Sequence, residues 1–203
     1  NVYIRSMGTR GSLGGISRAT RMASRVLDAA GFDWILIETV GAGQSEVDVH
    51  DVAYTTVVVM APGMGDEIQA MKAGIMEIGD VFVVNKADRD GADRTAAQVA
   101  SIVQLSSDSG WHPPVLKVSA ELNQGIESVL EAIGQHRSWL EQSGKLDEAK
   151  ASMARRDVLE ILRARLTEDL RRQLDQPALQ EKLNKVANRQ SDPYTVVDTV
   201  FEQ

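Results

Sequence analysis

The most specific chemistry in the chain lies in four consecutive residues, Asn85-Lys86-Ala87-Asp88. They follow Val81-Phe82-Val83-Val84, an apolar run that reads as a buried strand. The tetrapeptide therefore belongs at the carboxyl end of a strand, where open α/β sheets bind their ligands. An Asp carboxylate there can accept from two adjacent donors on one ring. Guanine presents such a pair, its ring N–H and exocyclic amine; adenine does not. The Asn can reach the purine's other edge, and the Lys stem can cover its face. By analogy with base readout in DNA, a two-point contact of this type discriminates by about 1–3 kcal/mol. A polar turn after a strand is the plainer reading of the same residues.

Two further stretches support the nucleotide reading. Ser119-Ala120 follows the next strand-like run, Val115–Val118, 34 residues beyond Asn85. In guanine-nucleotide proteins this position supplies a backbone N–H to the guanine carbonyl. Glu38-Thr39-Val40-Gly41-Ala42-Gly43-Gln44-Ser45-Glu46 follows the apolar run Trp34–Ile37. A carboxylate at a strand end, here Glu38, can hold magnesium, usually through water. The Gly41 N–H can approach a phosphate, and the glycines let the loop rearrange when phosphate leaves.

These residues need a scaffold. The runs Trp34–Ile37, Thr55–Ala61, Val81–Val84 and Val115–Val118 are short, β-branched and without alternation, which suits strands buried on both faces. Helical spacing falls between and around them: Ser17–Ala30 closed by Gly31, Asp66–Ile78, Thr95–Leu105 and Ile126–Leu140. The alternation predicts an α/β fold with a doubly wound, mostly parallel sheet. After Gly144 no strand-like run remains. Val158, Leu162, Leu166, Leu170 and Leu174 form one apolar stripe on a long charged helix that Pro177 ends. A second helix is expected over 178–189, and Asp192-Pro193 marks the start of a last one. The expected division is 1–144 for the α/β domain and 145–203 for a helical arm.

Composition excludes several classes. The 203 residues are 43% hydrophobic and 25% charged, which is globular composition. There are no cysteines, and the three histidines (His50, His112, His136) lack ligand spacing, which argues against disulfides, thiolate chemistry and structural zinc. No apolar stretch is long enough to span a membrane. The net charge of −7 is a poor start for a nucleic-acid binder. Residues 145–190 carry 11 basic and 8 acidic side chains, opposite in sign to the remainder. Acids are interleaved in residues 145–190, which lack aromatic stacking residues, so nucleic acid is not expected there either. The stripe is read as packing on its own sheet or, preferably, as pairing with a second copy.

The strings Ile4-Arg5, Gly11-Ser12-Leu13-Gly14-Gly15, Glu38–Glu46 (ETVGAGQSE), Gly65-Asp66-Glu67-Ile68-Gln69, Lys72-Ala73-Gly74 and Asn85–Asp88 occur in one order. Together they resemble the methylmalonyl-CoA mutase-associated GTPases, chaperones of adenosylcobalamin-dependent mutases. The resemblance runs from residue 1 to about 145, and the tail resembles that family's dimerisation arm. It implies a P-loop GTPase fold, GTP and GDP as ligands, Mg2+ as cofactor, a homodimer, an acyl-CoA mutase as partner and a cytoplasmic location. It implies that Asn85, Lys86 and Asp88 bind guanine, with Ser119, Ala120 and Glu121 beside it. Glu38 would lie near magnesium and, with Gly41, nearest the reacting phosphate. Gly41 to Glu46, including Gln44, would form the second switch. Pro62 to Lys72 would form the third, with Asp66, Glu67, Gln69 and Lys72 as its polar candidates for partner contact. A solvated helix start, with acids favoured by the helix dipole, is the alternative for these. Residues 5–15 would be the end of the first switch.

The sequence departs from the family in one respect. It contains no G-x-x-x-x-G-K-[S/T]; Gly8–Gly15 lacks the Lys-Ser/Thr and follows no strong strand. In the family, the phosphate loop, the first strands and a magnesium aspartate precede the position where this chain begins. The expectation is a GTPase domain incomplete at its N-terminus, the remainder of a longer GTP-hydrolysing parent. Gln44 stands three residues after Gly41, a different register from the water-positioning Gln of signalling GTPases, so it is not assigned to catalysis. A metal-delivery GTPase and a non-hydrolysing dimeric interaction module are the rival readings. The missing Cys and clustered His count against the first.

Overall fold

The computed structural model describes residues 2–8, 18–39, 49–63, 75–106 and 110–201. Among these, the strands are β1 (Val57–Met60), β2 (Val81–Val84) and β3 (Val115–Lys117). The helices are α1 (Arg18–Ala29), α2 (Ile75–Ile78), α3 (Ala92–Ser106), α4 (Ile126–Gln142), α5 (Lys145–Leu174), α6 (Pro177–Ala187) and α7 (Pro193–Phe201). A 3-10 turn covers Val49–Asp51. The chain divides into two compact units, Asn1–Ala149 and Lys150–Gln203. Gly144, with φ +75°, separates α4 from α5.

In the first unit the described strands form one parallel sheet in the order β1-β2-β3. Val57 lies opposite Val81, and Phe82 opposite Val115. All four residues of β2 are buried because both faces of the sheet are covered. On one face Val58, Met60 and Phe82 pack with Met76 of α2 and with Val99 and Val103 of α3. On the other, Val81 and Val83 pack with Val118 and with Ala132 of α4. Two covered faces explain why the β2 sequence does not alternate. The flanking β1 and β3 depart from the expected burial on both faces, since Val59 is 58% exposed and no residue of β3 is fully buried. Each such Val, Met or Phe side chain contributes about 1.5–3 kcal/mol when fully buried. The architecture is α/β with helices on both faces, as the sequence predicts.

One expected strand is corrected. Residues 34–39 form no strand, and Leu36 is 85% exposed. A strand exists only where a neighbour takes its backbone hydrogen bonds. Among the described residues, the sheet has three strands and none pairs with this run. Of the helix expected over 66–78, only Ile75–Ile78 falls in the described residues.

The second unit is helical. Its last helix starts as Asp192-Pro193 predicts. Asp192 Oδ1 accepts from the Thr195 N–H at 3.1 Å, and Oδ2 from the Thr195 hydroxyl at 2.6 Å. Those bonds hold the Asp192 carboxyl below its ordinary range, the hydroxyl contributing most. Leu179 of α6 and Val196 of α7 are buried. In α5 no described side chain is fully buried, and Val158, Leu162 and Leu166 are exposed. No described helix is long and apolar enough to cross a membrane.

Candidate functional site

The carboxyl ends of β2 and β3 bring together the two stretches, 85–88 and 119–121, that the sequence analysis expects at a base. The Asn85 N–H donates to the Met60 carbonyl at 2.8 Å, continuing the β1–β2 ladder by one residue. The chain then turns sharply at Lys86, whose φ is +60°. Left-handed backbone is uncommon for a side-chain-bearing residue and concentrates at functional turns. The turn is held from the next strand: the Ala87 N–H donates to the Val118 carbonyl at 2.9 Å.

Asn85 links the loops through its side chain. Its Oδ1 accepts from its neighbour's Lys86 N–H at 2.7 Å and from the Ala120 N–H at 3.1 Å. Its amide nitrogen carries the two donors through which it could meet a purine nitrogen. Ser119 makes the second link. It is 2% exposed, and its hydroxyl donates to Asp88 Oδ1 at 2.5 Å. That bond is the largest cause of an Asp88 carboxyl held below the ordinary carboxylate range. Asp88 itself is exposed. The result is an ionised, oriented and accessible acceptor, the group that a ring N–H and an exocyclic amine require.

The sequence reading did not identify what fixes the second loop. Ser119 and Gln124 exchange two backbone hydrogen bonds of 3.0 Å, closing residues 119–124 into a tight turn. Gly125 follows with φ +77°, and a Cβ there would stand 2.7 Å from the Lys117 carbonyl oxygen. A glycine just ahead of α4 was the available signal. Ala120 and Glu121 lie exposed at the tip of this turn. The Ala120 N–H, expected to face a guanine carbonyl, here donates to Asn85.

Of the remaining sequence-predicted residues, Glu38 alone falls among the described ones. Glu38 is exposed in the non-strand run 34–39. Gly41, Gln44, Glu46, Asp66, Glu67, Gln69 and Lys72 lie outside the described residues, as does Gly11–Gly15. Among the described residues no group of three or more His, Asp or Glu gathers to hold a metal.

With this geometry in place, comparison with known proteins decides the family. The family model described as "Methylmalonyl Co-A mutase-associated GTPase MeaB" matches residues 1–175. The chain belongs to the MeaB family. Among its relatives is the "Putative GTPase" of Pyrococcus abyssi, 41% identical over all of this chain and 64% of that protein. The mouse "Methylmalonic aciduria type A homolog, mitochondrial" is 38% identical over 72% of this chain and 36% of its own length. A solved structure titled "Crystal structure of LAO/AO transport system kinase" superposes with a TM-score of 0.61 at 26% identity. It covers 90% of this chain and 60% of the solved one. This MeaB-family chain thus spans less than two thirds of the length of these relatives.

Proposed function

We propose that this chain carries the guanine-recognition part of a GTP-binding, GTP-hydrolysing chaperone. Its client would be an adenosylcobalamin-dependent acyl-CoA mutase such as methylmalonyl-CoA mutase. The observation that carries the reading is the Ser119–Asp88 bond beside the Asn85 bridge. It presents an ionised carboxylate, an amide and a backbone turn at the ends of two adjacent strands. Asp88 would take the guanine ring N–H and exocyclic amine. Asn85 would meet the other edge of the base, and the Lys86 stem would cover its face. When guanine enters, the Ala120 N–H would move from Asn85 Oδ1 to the guanine carbonyl, with Glu121 beside it.

Glu38 supplies a hard carboxylate oxygen, which fits magnesium. Such an ion takes one or two carboxylates and completes its shell with water and phosphate oxygens. Bound there, magnesium would neutralise charge on the transferring phosphate. Glu38 would orient the metal's water, and the Gly41 N–H would donate to a phosphate oxygen. The segments at 41–46 and 62–72 would report nucleotide state to the mutase. Gln44, Glu46, Asp66, Glu67, Gln69 and Lys72 are their polar candidates. A partner preferring one nucleotide state would then shift the switch populations.

The arm, from residue 145, is read as a homodimer contact. A 30-residue helix with an exposed Val158/Leu162/Leu166 stripe is better covered by a second copy than left in water. The test of the central reading is calorimetric titration of GDP and ADP, with magnesium, into the chain and its Asp88→Ala variant. GDP is expected to bind in preference to ADP, and the variant to lose that preference. Equal affinity for the two nucleotides would sink the reading.

A further inference from the structure

The opposite end of the sheet, where β1 and β2 begin, holds a polar cluster around one buried histidine, which the proposed guanine binding does not use. His136 of α4 is 2% exposed. Its Nδ1 lies 3.0 Å from the Thr55 hydroxyl and its Nε2 lies 3.3 Å from Asp80 Oδ1. Asp80 Oδ2 accepts from the Thr56 N–H at 2.8 Å. The Asp80 carbonyl accepts from Trp111 Nε1 at 2.9 Å. The indole of Trp111 stands 4.9 Å from the imidazole and that of Trp139 stacks on it at 5.6 Å. Four segments therefore meet on one histidine: the leads into β1, β2 and β3, and the helix α4.

The geometry satisfies a neutral ring without remainder. With a neutral ring, Nε2–H donates to the Asp80 carboxylate and Nδ1 accepts from the Thr55 O–H, so both nitrogens are satisfied. A second ring proton would turn the Thr55 hydroxyl from donor to acceptor and place a cation on a ring that is only 2% exposed. We infer that His136, Asp80 and Thr55 form a proton-sensitive clamp that fastens α4 to the starts of β1 and β2 and loosens when the imidazole is protonated.

Burial sets the sign, against the pull of the charged neighbours. Asp80 favours the protonated ring, and burial opposes it. Burial is the larger effect and holds the His136 pKa below the ordinary 6.5. The Asp80 carboxyl is pushed up by its own burial, against the Thr56 N–H, His136 and His50 of the 3-10 turn, which lower it. On the Trp139 side, Lys145 Nζ lies 4.8 Å from that ring's centroid. Thr55 and Thr56, leading into β1, and Trp111, leading into β3, bring no charge. A folded-state histidine pKa below the unfolded value means that acid favours the open form. Its stabilising effect is complete above pH 6.5 and is lost as pH falls through the folded pKa.

The test uses the full chain carrying His50→Gln and His112→Gln, so that His136 is the one imidazole that titrates. Its ring, the Trp111 indole N–H and the Thr56 amide are followed by NMR from about pH 7.5 to 5, a range that brackets an ordinary imidazole. The expected result is a one-proton transition with a midpoint below 6.5, sensed by both the ring and the Trp111 indole. Thr56 amide opening, corrected for intrinsic exchange, should rise about tenfold per pH unit from about 6.5 down to that midpoint. Asp80→Asn should lower the midpoint further, because the Asn amide oxygen can still accept from Thr56 but carries no charge. A midpoint at or above 6.5, opening that ignores pH, or a midpoint unmoved by Asp80→Asn would each overturn the proposal. If the double variant does not fold, the same resonances followed in the unaltered chain, over the same pH range, decide between these outcomes.

Discussion

Replacing Asn85 separates two roles that its amide combines. Asn85→Asp keeps an oxygen for the Ala120 N–H but loses the nitrogen that would meet the purine. Asn85→Ala loses both. We expect Asn85→Asp to keep the Ala120 amide protected from exchange while weakening GDP binding. Asn85→Ala should lose protection and binding together, and amide exchange beside nucleotide titration distinguishes the two. Ser119→Ala removes the bond that most depresses Asp88. The Asp88 pKa should rise toward the ordinary 3.8, read by carboxyl NMR titration. The sign follows from linkage. A depressed carboxyl pKa contributes stability above 3.8 that is lost as pH falls through the folded value, so Ser119→Ala should shrink that low-pH loss. The roles assigned to Asn85 and Asp88 come from residue type and spacing. Their bonds to Ala120 and Ser119, 35 and 31 positions away, could be read only from the fold.

At the level of elements, the turn 119–124 carries the second half of the proposed base site and depends on Gly125. Gly125→Ala imposes a left-handed φ on a side-chain-bearing residue and drives its Cβ into the Lys117 carbonyl. We expect a loss of about 1–3 kcal/mol, measured by urea unfolding, with GDP affinity falling as the turn shifts. The same level shows where sequence reading succeeds and where it stops. Val81–Val84 and the spacing of Val99 and Val103 were legible because burial on both faces leaves a local pattern. The Asp192 cap was legible because its partner is three residues away. Residues 34–37 have the composition of a strand, yet strand formation depends on a neighbour that no local pattern encodes. The His136 cluster was missed for the same reason, since Thr55 and His136 are 81 positions apart.

For the whole molecule, the proposed dimer contact of the arm and the proposed nucleotide site make separable predictions. Exposed ion pairs on α5, such as Arg163–Glu160 at 2.9 Å, contribute little, so association should depend on the apolar stripe. Leu162→Glu with Leu166→Glu should convert a dimer to a monomer in sedimentation velocity and leave the GDP preference intact. A monomeric parent chain would contradict the arm's assignment and leave the base site untouched.

The most direct test of the account is a residue-resolved titration of the labelled chain with magnesium and either GDP or ADP, in the unaltered protein and in Asp88→Ala. The account predicts that GDP shifts the amides of residues 85–88 and 119–121, with Ala120 changing hydrogen-bond partner. ADP at the same concentration should not, and Asp88→Ala should abolish the difference. Equal shifts from both nucleotides, or no GDP response in the two loops, would contradict it.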